Sequence, residues 1–144
     1  MLISDVLRVK GTQVITVTPD TTVRQLVAVL AEHRIGAVVV SHDGMAVDGI
    51  VSERDIVQAL ARRGAAVMSA KVTAIYTAQV HTVTPQSPIE DVMRMMTERR
   101  VRHAPVVADG RLQGIVSIGD VVKIRLGELQ AERTALTDYI TGTR

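Results

Sequence analysis

The sequence predicts an α/β protein of the mixed α+β kind, built from two pseudo-symmetric β-α-β-β-α units packed through their sheets, with a helical tail. Three observations carry this. A phrase recurs, Gly-Ile-Val-Ser-x-x-Asp, once at Gly49 to Asp55 and again at Gly114 to Asp120. Thr16-Val17-Thr18-Pro19 repeats as Thr82-Val83-Thr84-Pro85 at an offset of 66. Apolar residues between these markers switch from alternating to helical spacing at matching places in both copies.

Each unit opens with a short strand, Val14 to Val17 or Val80 to Val83, which a Thr-Pro pair ends by removing a ladder donor. A helix follows. Val23, Leu26, Val27 and Leu30 stand at i, i+3, i+4 and i+7, as do Ile89, Val92, Met93 and Met96. Ser87-Pro88-Ile89-Glu90 reads as a capping box with proline at the first helical position. Gly36 is expected to close the first helix in a left-handed turn, a task less natural for Arg102. A buried strand comes next, Ala37 to Val40 or Ala104 to Val107, and then a turn at His42-Asp43-Gly44 or Asp109-Gly110. The Gly-Ile-Val-Ser strand leads into a second helix starting near Glu53 or Ile118.

The units divide the chain into residues 1–68, 69–126 and a tail, 127–144. Neither unit is large enough to bury a comfortable core alone, so the two are expected to share one module. From Val121 to Ile140 the tail reads as an amphipathic helix, with Leu126, Leu129, Leu136 and Ile140 near one face. It either packs on its own module or makes a dimer contact.

Composition narrows the function. The 144 residues are 47% hydrophobic, yet there is no Phe or Trp and only Tyr76 and Tyr139 are aromatic. A planar ligand would be held by aliphatic side chains and backbone, and a base-stacking platform for single-stranded nucleic acid is disfavoured. Absence of cysteine excludes disulfides, thiolate metal sites and cysteine catalysis. The N-terminus lacks a signal-peptide pattern and no apolar run approaches bilayer length, so a soluble, cytoplasmic protein is expected. Fourteen of the 17 Lys and Arg residues are Arg, which suits forked contacts to phosphate or carboxylate, while net charge is only +2. Nucleic-acid binding would rest on the high sequence pI and the Arg99 to His103 run alone, without a reading helix.

The repeated phrase sets a hydroxyl and a carboxylate three residues apart where a strand becomes a helix: Ser52 with Asp55, and Ser117 with Asp120. Such a pair caps its helix. The same junction suits a nucleotide, because a helix N-terminus favours phosphate and an adjacent carboxylate accepts ribose hydroxyls. The copies differ where charge could be met. Arg54 is matched by Gly119, and Arg102 and His103 stand where the first copy has Gly36 and Ala37. No triad, metal spacing or glycine-rich phosphate loop supports catalysis, and the four histidines are scattered. The protein is expected not to be an enzyme.

With both phrases in register, the chain resembles the cystathionine β-synthase (CBS) domain in tandem, the Bateman module, over Asp5 to about Leu126; its tail resembles that of stand-alone bacterial members used in signal transduction. The resemblance implies two clefts between the sheets for adenosine ligands (AMP, ADP, ATP, S-adenosylmethionine or NAD(H)), no catalytic cofactor, a disk-like homodimer and an effector protein as partner. It implies composite sites. The first would comprise Ser52, Arg54, Asp55, Thr77, His81, Val101, Arg102, His103 and Pro105. The second would comprise Ser117, Ile118 and Asp120 with Lys10, Gly11, Ile15, Ile35, Gly36 and Ala37, and with Arg102 and His103 toward the phosphates. A module that binds nothing and serves as a structural scaffold is the alternative.

Overall fold

The computed structural model describes residues 1–142. In chain order its elements are α1 (Ile3–Lys10), β1 (Thr16–Val17), α2 (Val23–His33), β2 (Ala37–Val40), β3 (Gly49–Ser52), α3 (Glu53–Arg63), α4 (Ile89–Arg99), β4 (His103–Ala108), β5 (Arg111–Ser117) and α5 (Ile118–Thr141). Two short 3-10 turns, Ala65–Ser69 and Val72–Ala74, link the halves.

The first sheet has the order β1-β2-β3, with β1 parallel and β3 antiparallel to the central β2. All four residues of β2 are buried, as expected for a strand covered on both faces. The second sheet pairs β4 and β5 antiparallel, with a bulge between Val106 and Val107. Its third strand, expected over Val80 to Val83, shrinks to one parallel bridge between Val83 and Val106. The first-copy strand is likewise shorter than expected. Thr18-Pro19 and Thr84-Pro85 turn the chain into helices, which leaves little length to pair.

Several helix ends differ from expectation. Arg34 and Arg100, not Gly36 and Arg102, adopt the left-handed conformation after α2 and α4, at φ of 53° and 55°. The non-glycine penalty for that turn is modest, so position in the helix decides. The box predicted at Ser87 is not made: Pro88 precedes α4 without a side-chain cap. Ser87 Oγ instead accepts the Thr84 amide at 3.0 Å. A box does form on α2, where Thr22 accepts the Gln25 amide at 3.1 Å and Gln25 Oε1 accepts that of Thr22 at 2.9 Å.

Two apolar cores form, and chain order does not decide which residues enter them. α1 opens the first unit, but its Ile3, Val6 and Leu7 are buried with Ile89, Val92, Met96, Ala104 and Val116 of the second. Val67 and Val72, on either side of the join between the units, are buried with Val23, Leu26, Val38 and Val51 of the first. Backbone bonds repeat this exchange. Ile3 donates to the Ser87 carbonyl at 2.9 Å, and Val72 to that of Thr21 at 2.8 Å. Ile89 donates to Met1, as Val23 does to Ala70.

The exchange explains the repeated glycine. A Cβ on Gly49 would collide with the Tyr76 ring and come within 2.9 Å of the Thr77 carbonyl. One on Gly114 would lie 2.7 Å from Leu7 Cδ2. Each glycine therefore admits the segment that arrives from outside its own repeat, and Leu7 and Tyr76 are structural counterparts.

Candidate functional site

The two strand-to-helix junctions have the same local construction. Ser52 and Ser117 have extended backbone and cap α3 and α5. Ser52 Oγ accepts the Asp55 amide at 3.3 Å, while Asp55 Oδ2 accepts the Ser52 amide at 2.8 Å. In the second copy the corresponding distances are 3.1 and 2.8 Å. The first helical amides are also engaged: Glu53 donates to the Gly36 carbonyl at 2.9 Å and Ile118 to that of Arg102 at 2.8 Å. The helix starts are thus less open to an anion than their sequence alone suggests. Between the bonded amides of Glu53 and Asp55 lies that of Arg54, which has no protein acceptor among the described residues.

A cavity of about 250 Å³ opens beside the α3 junction, between the halves. Ser52, Arg54 and Asp55 line it from the first half, and Thr77, His81, Val101, Arg102 and His103 from the other side. The residues expected in the first site are brought together with one exception. Pro105 is buried in β4, with its carbonyl accepting the Val83 amide at 3.0 Å. It follows His103 by two residues, and that step along a strand carries it about 7 Å away. Glu53, Ile50, Gln79, Val80 and Arg100 also line the cavity and were not anticipated. The adjacency of Arg100 to the Val101-Arg102-His103 run was a usable signal.

The cavity is rich in cations. Arg54, Arg100 and Arg102 line it together with Glu53 and Asp55. Burial, then the neighbouring charge of Lys10, pushes His103 below the ordinary histidine pKa, against the pull of Asp120 and Glu53, while Arg102 depresses it further. Gly36 keeps this corner narrow: a Cβ there would sit 3.3 Å from Glu53 Oε1 and 3.6 Å from the His103 ring.

Residues expected in the second site are brought together only in part. Lys10, Ser117 and Asp120 meet, with Lys10 Nζ bonding Asp120 Oδ2 at 2.6 Å and the Ile115 carbonyl at 2.8 Å. Partial burial raises Asp120, but the Lys10 ammonium and the two bonds to Ser117 outweigh it and hold the carboxyl below its ordinary pKa. Gly36, Ala37, Arg102 and His103 line the first cavity, and Arg102 and His103 also border the second junction, where the Arg102 carbonyl accepts the Ile118 amide and His103 pairs with Ser117. Ile15 and Ile35 pack against the first core, and Ile118 against the second. Gly11 ends α1 at φ 99°. Counting from the counterparts Leu7 and Tyr76, Lys10 matches Gln79, so a neutral amide lines the cavity at the first junction where an ammonium bonds the carboxylate of the second.

Among the described residues no cluster of His, Cys, Asp and Glu could hold a metal, and no helix is long and apolar enough to cross a membrane.

A duplicated strand-helix junction with paired Ser and Asp, set against a composite cleft, defines a tandem-repeat module. The CBS domain family matches residues 3–62 and again 72–127, and the chain belongs to that family. It is 38% identical over 148 residues to the Arabidopsis thaliana CBS domain-containing protein CBSX3, mitochondrial, covering 97% of this chain and 72% of that protein. The fold is similar to the crystal structure of a CBS-domain-containing protein from Agrobacterium tumefaciens, with TM-score 0.84, 44% identity and coverage of 87% and 99% of the two chains. It is also similar to a CBS domain protein of Pyrobaculum aerophilum complexed with AMP, with TM-score 0.74, 28% identity and coverage of 83% and 89%.

Proposed function

We propose that the chain is a non-catalytic regulatory module whose first cleft binds an anionic adenosine nucleotide, of the AMP, ATP or NAD(H) kind, and passes its presence to a partner protein. The observation that carries this is the meeting of Asp55 and Ser52 with Arg54, Arg100 and Arg102 around one cavity between the halves. Asp55 accepts the ribose hydroxyls. The Arg54 amide and the guanidinium groups take phosphate oxygens. Val80, Val101 and the Thr77 backbone provide an aliphatic seat for the base, in keeping with a chain almost without aromatics. The AMP held by the Pyrobaculum relative supports this ligand class. Three guanidinium groups against two carboxylates favour a phosphate-bearing ligand over the cationic S-adenosylmethionine.

The second cleft is guarded, because its ribose carboxylate already holds Lys10. A ligand there must displace the ammonium, which costs affinity. Bound nucleotide spans elements of both halves, so it selects one relative arrangement of them, by no more than its differential affinity for that arrangement. The output surface belongs to a symmetric homodimer. The apolar groove between α2 and α3, lined by Val27, Ala31, Ile35 and Val57, offers a face for it.

Titration calorimetry with AMP, ATP, NAD and NADH tests the reading. At least one is expected to bind at micromolar strength, and Asp55→Asn to weaken it tenfold or more. Failure of all four to bind at millimolar concentration, with Asp55→Asn and Asp120→Asn both melting lower, would make the carboxylates helix caps and the protein a scaffold.

A further inference from the structure

α5 outlasts the body that it caps. Its first turns pack on α4, α1 and β5. Arg125 pairs with Glu90 at 3.4 Å, and Glu128 receives both Arg125 and the N-terminal ammonium at 3.6 Å. Beyond Glu128 the helix runs on to Thr141 with almost every residue exposed. That overhang is about 20 Å long. A helix of such length is marginal in water by itself, and tertiary or quaternary packing is its usual support.

The overhang also carries a seam. Val122, Leu126, Leu129, Arg133, Leu136 and Ile140 follow one another at alternating steps of four and three, within an arc of about 80°. Leu136 and Ile140 are 60% and 73% exposed, and Leu126 is 55% exposed although it lies beside the body. We infer that this seam is covered by a second copy of itself, the two α5 helices pairing antiparallel as a short coiled coil.

The sequence of the seam selects both occupant and direction. In an antiparallel pair centred at Ala131, Val122 meets Ile140, Leu126 meets Leu136, and Leu129 meets Arg133, so each of the six positions finds a seam partner on the other copy. The aliphatic stem of Arg133 then covers Leu129, and its guanidinium reaches outward beside Glu132 of the second copy. A parallel pair would instead set Arg133 against Arg133 within the seam. An unrelated helix need not supply this matching set. The contact rests on α5 alone and involves neither cleft.

Because the chain has no cysteine, disulfide trapping can read the arrangement directly. Leu126→Cys and Leu136→Cys chains, distinguished by size tags, are co-expressed, oxidised and run without reductant; each is also run alone. Both positions are exposed, so neither substitution opens the core. The expected result is a mixed disulfide dimer carrying one chain of each kind, with little product from either variant alone. Absence of any crosslink would overturn tail pairing, and self-crosslinking of each variant as efficient as the mixed product would overturn its antiparallel direction. Neither readout depends on nucleotide binding, so this inference and the proposed function can fail separately.

Discussion

Lys10 and Asp120 meet at 2.6 Å, whereas Asp55, the counterpart of Asp120, is bonded among the described residues only within its own serine cap. The difference arises from one residue pair outside both repeated phrases: Lys10 enters one junction and Gln79 the other. Two nearly identical junctions thereby acquire different starting states.

Removing the ammonium should equalise them. Lys10→Met, which keeps the aliphatic stem, is expected to raise the nucleotide stoichiometry measured by calorimetry from one toward two per chain. The ion pair is part-exposed, so the loss of stability is expected to be no more than about 1 kcal/mol. Adding Asp120→Asn to Lys10→Met should return the stoichiometry to one. An unchanged stoichiometry in the single variant would count against Lys10 as a guard.

The same pair sets an acid limb. Asp120 lies below its ordinary pKa in the folded chain, so its contribution is complete above that ordinary value and is lost as pH falls through the depressed one. Urea unfolding from pH 5 down to pH 3 should show a shallower loss of stability in Lys10→Met than in the parent chain.

His103 gives an effect in a higher window. Its folded pKa is depressed, first by burial and next by Lys10. The unfolded chain therefore takes up a proton first as pH drops below about 6.5, and stability falls until the folded pKa is reached. Melting temperatures between pH 7.5 and 5.5 should decline less steeply in His103→Gln. An anion in the cleft would raise the same pKa, so nucleotide should stabilise the parent chain more at the acidic end.

The two repeated glycines should not be equally tolerant. Gly114→Ala presses only on the end of the Leu7 side chain, which can rotate, and should cost about 1–3 kcal/mol. Gly49→Ala meets a ring and a main-chain carbonyl, and should cost more. Leu7→Ala in the Gly114→Ala background should recover part of the loss, as measured by a double-mutant cycle in urea.

The duplicated architecture was legible because apolar spacing and the Ser-x-x-Asp caps are local signals. Eight of the nine residues expected in the first site line one cavity, and Pro105 fails only through distance along its strand. What the sequence hid was non-local. Nothing in the run around Ile3, Val6 and Leu7 announces that α1 joins the later core; the meeting of Lys10 with Asp120, 110 positions onward, was expected only through the family resemblance. Left-handed turns at Arg34 and Arg100 were obscured because attention falls on glycine, while helix length placed the turn two residues earlier. Of the second site, which only the family resemblance supplied, Lys10, Ser117 and Asp120 meet with Arg102 and His103 beside them, whereas Ile15 and Ile35 pack against the first core.

The exchange of segments between the cores also orders events in time. Ile3, Val6 and Leu7 leave the ribosome well before the strands and helices that bury them. Throughout translation the opening helix must stay unpaired while the first half folds with Val67 and Val72. The helix that carries them is then among the last elements to settle, and the loop that it closes encloses the whole of the first half.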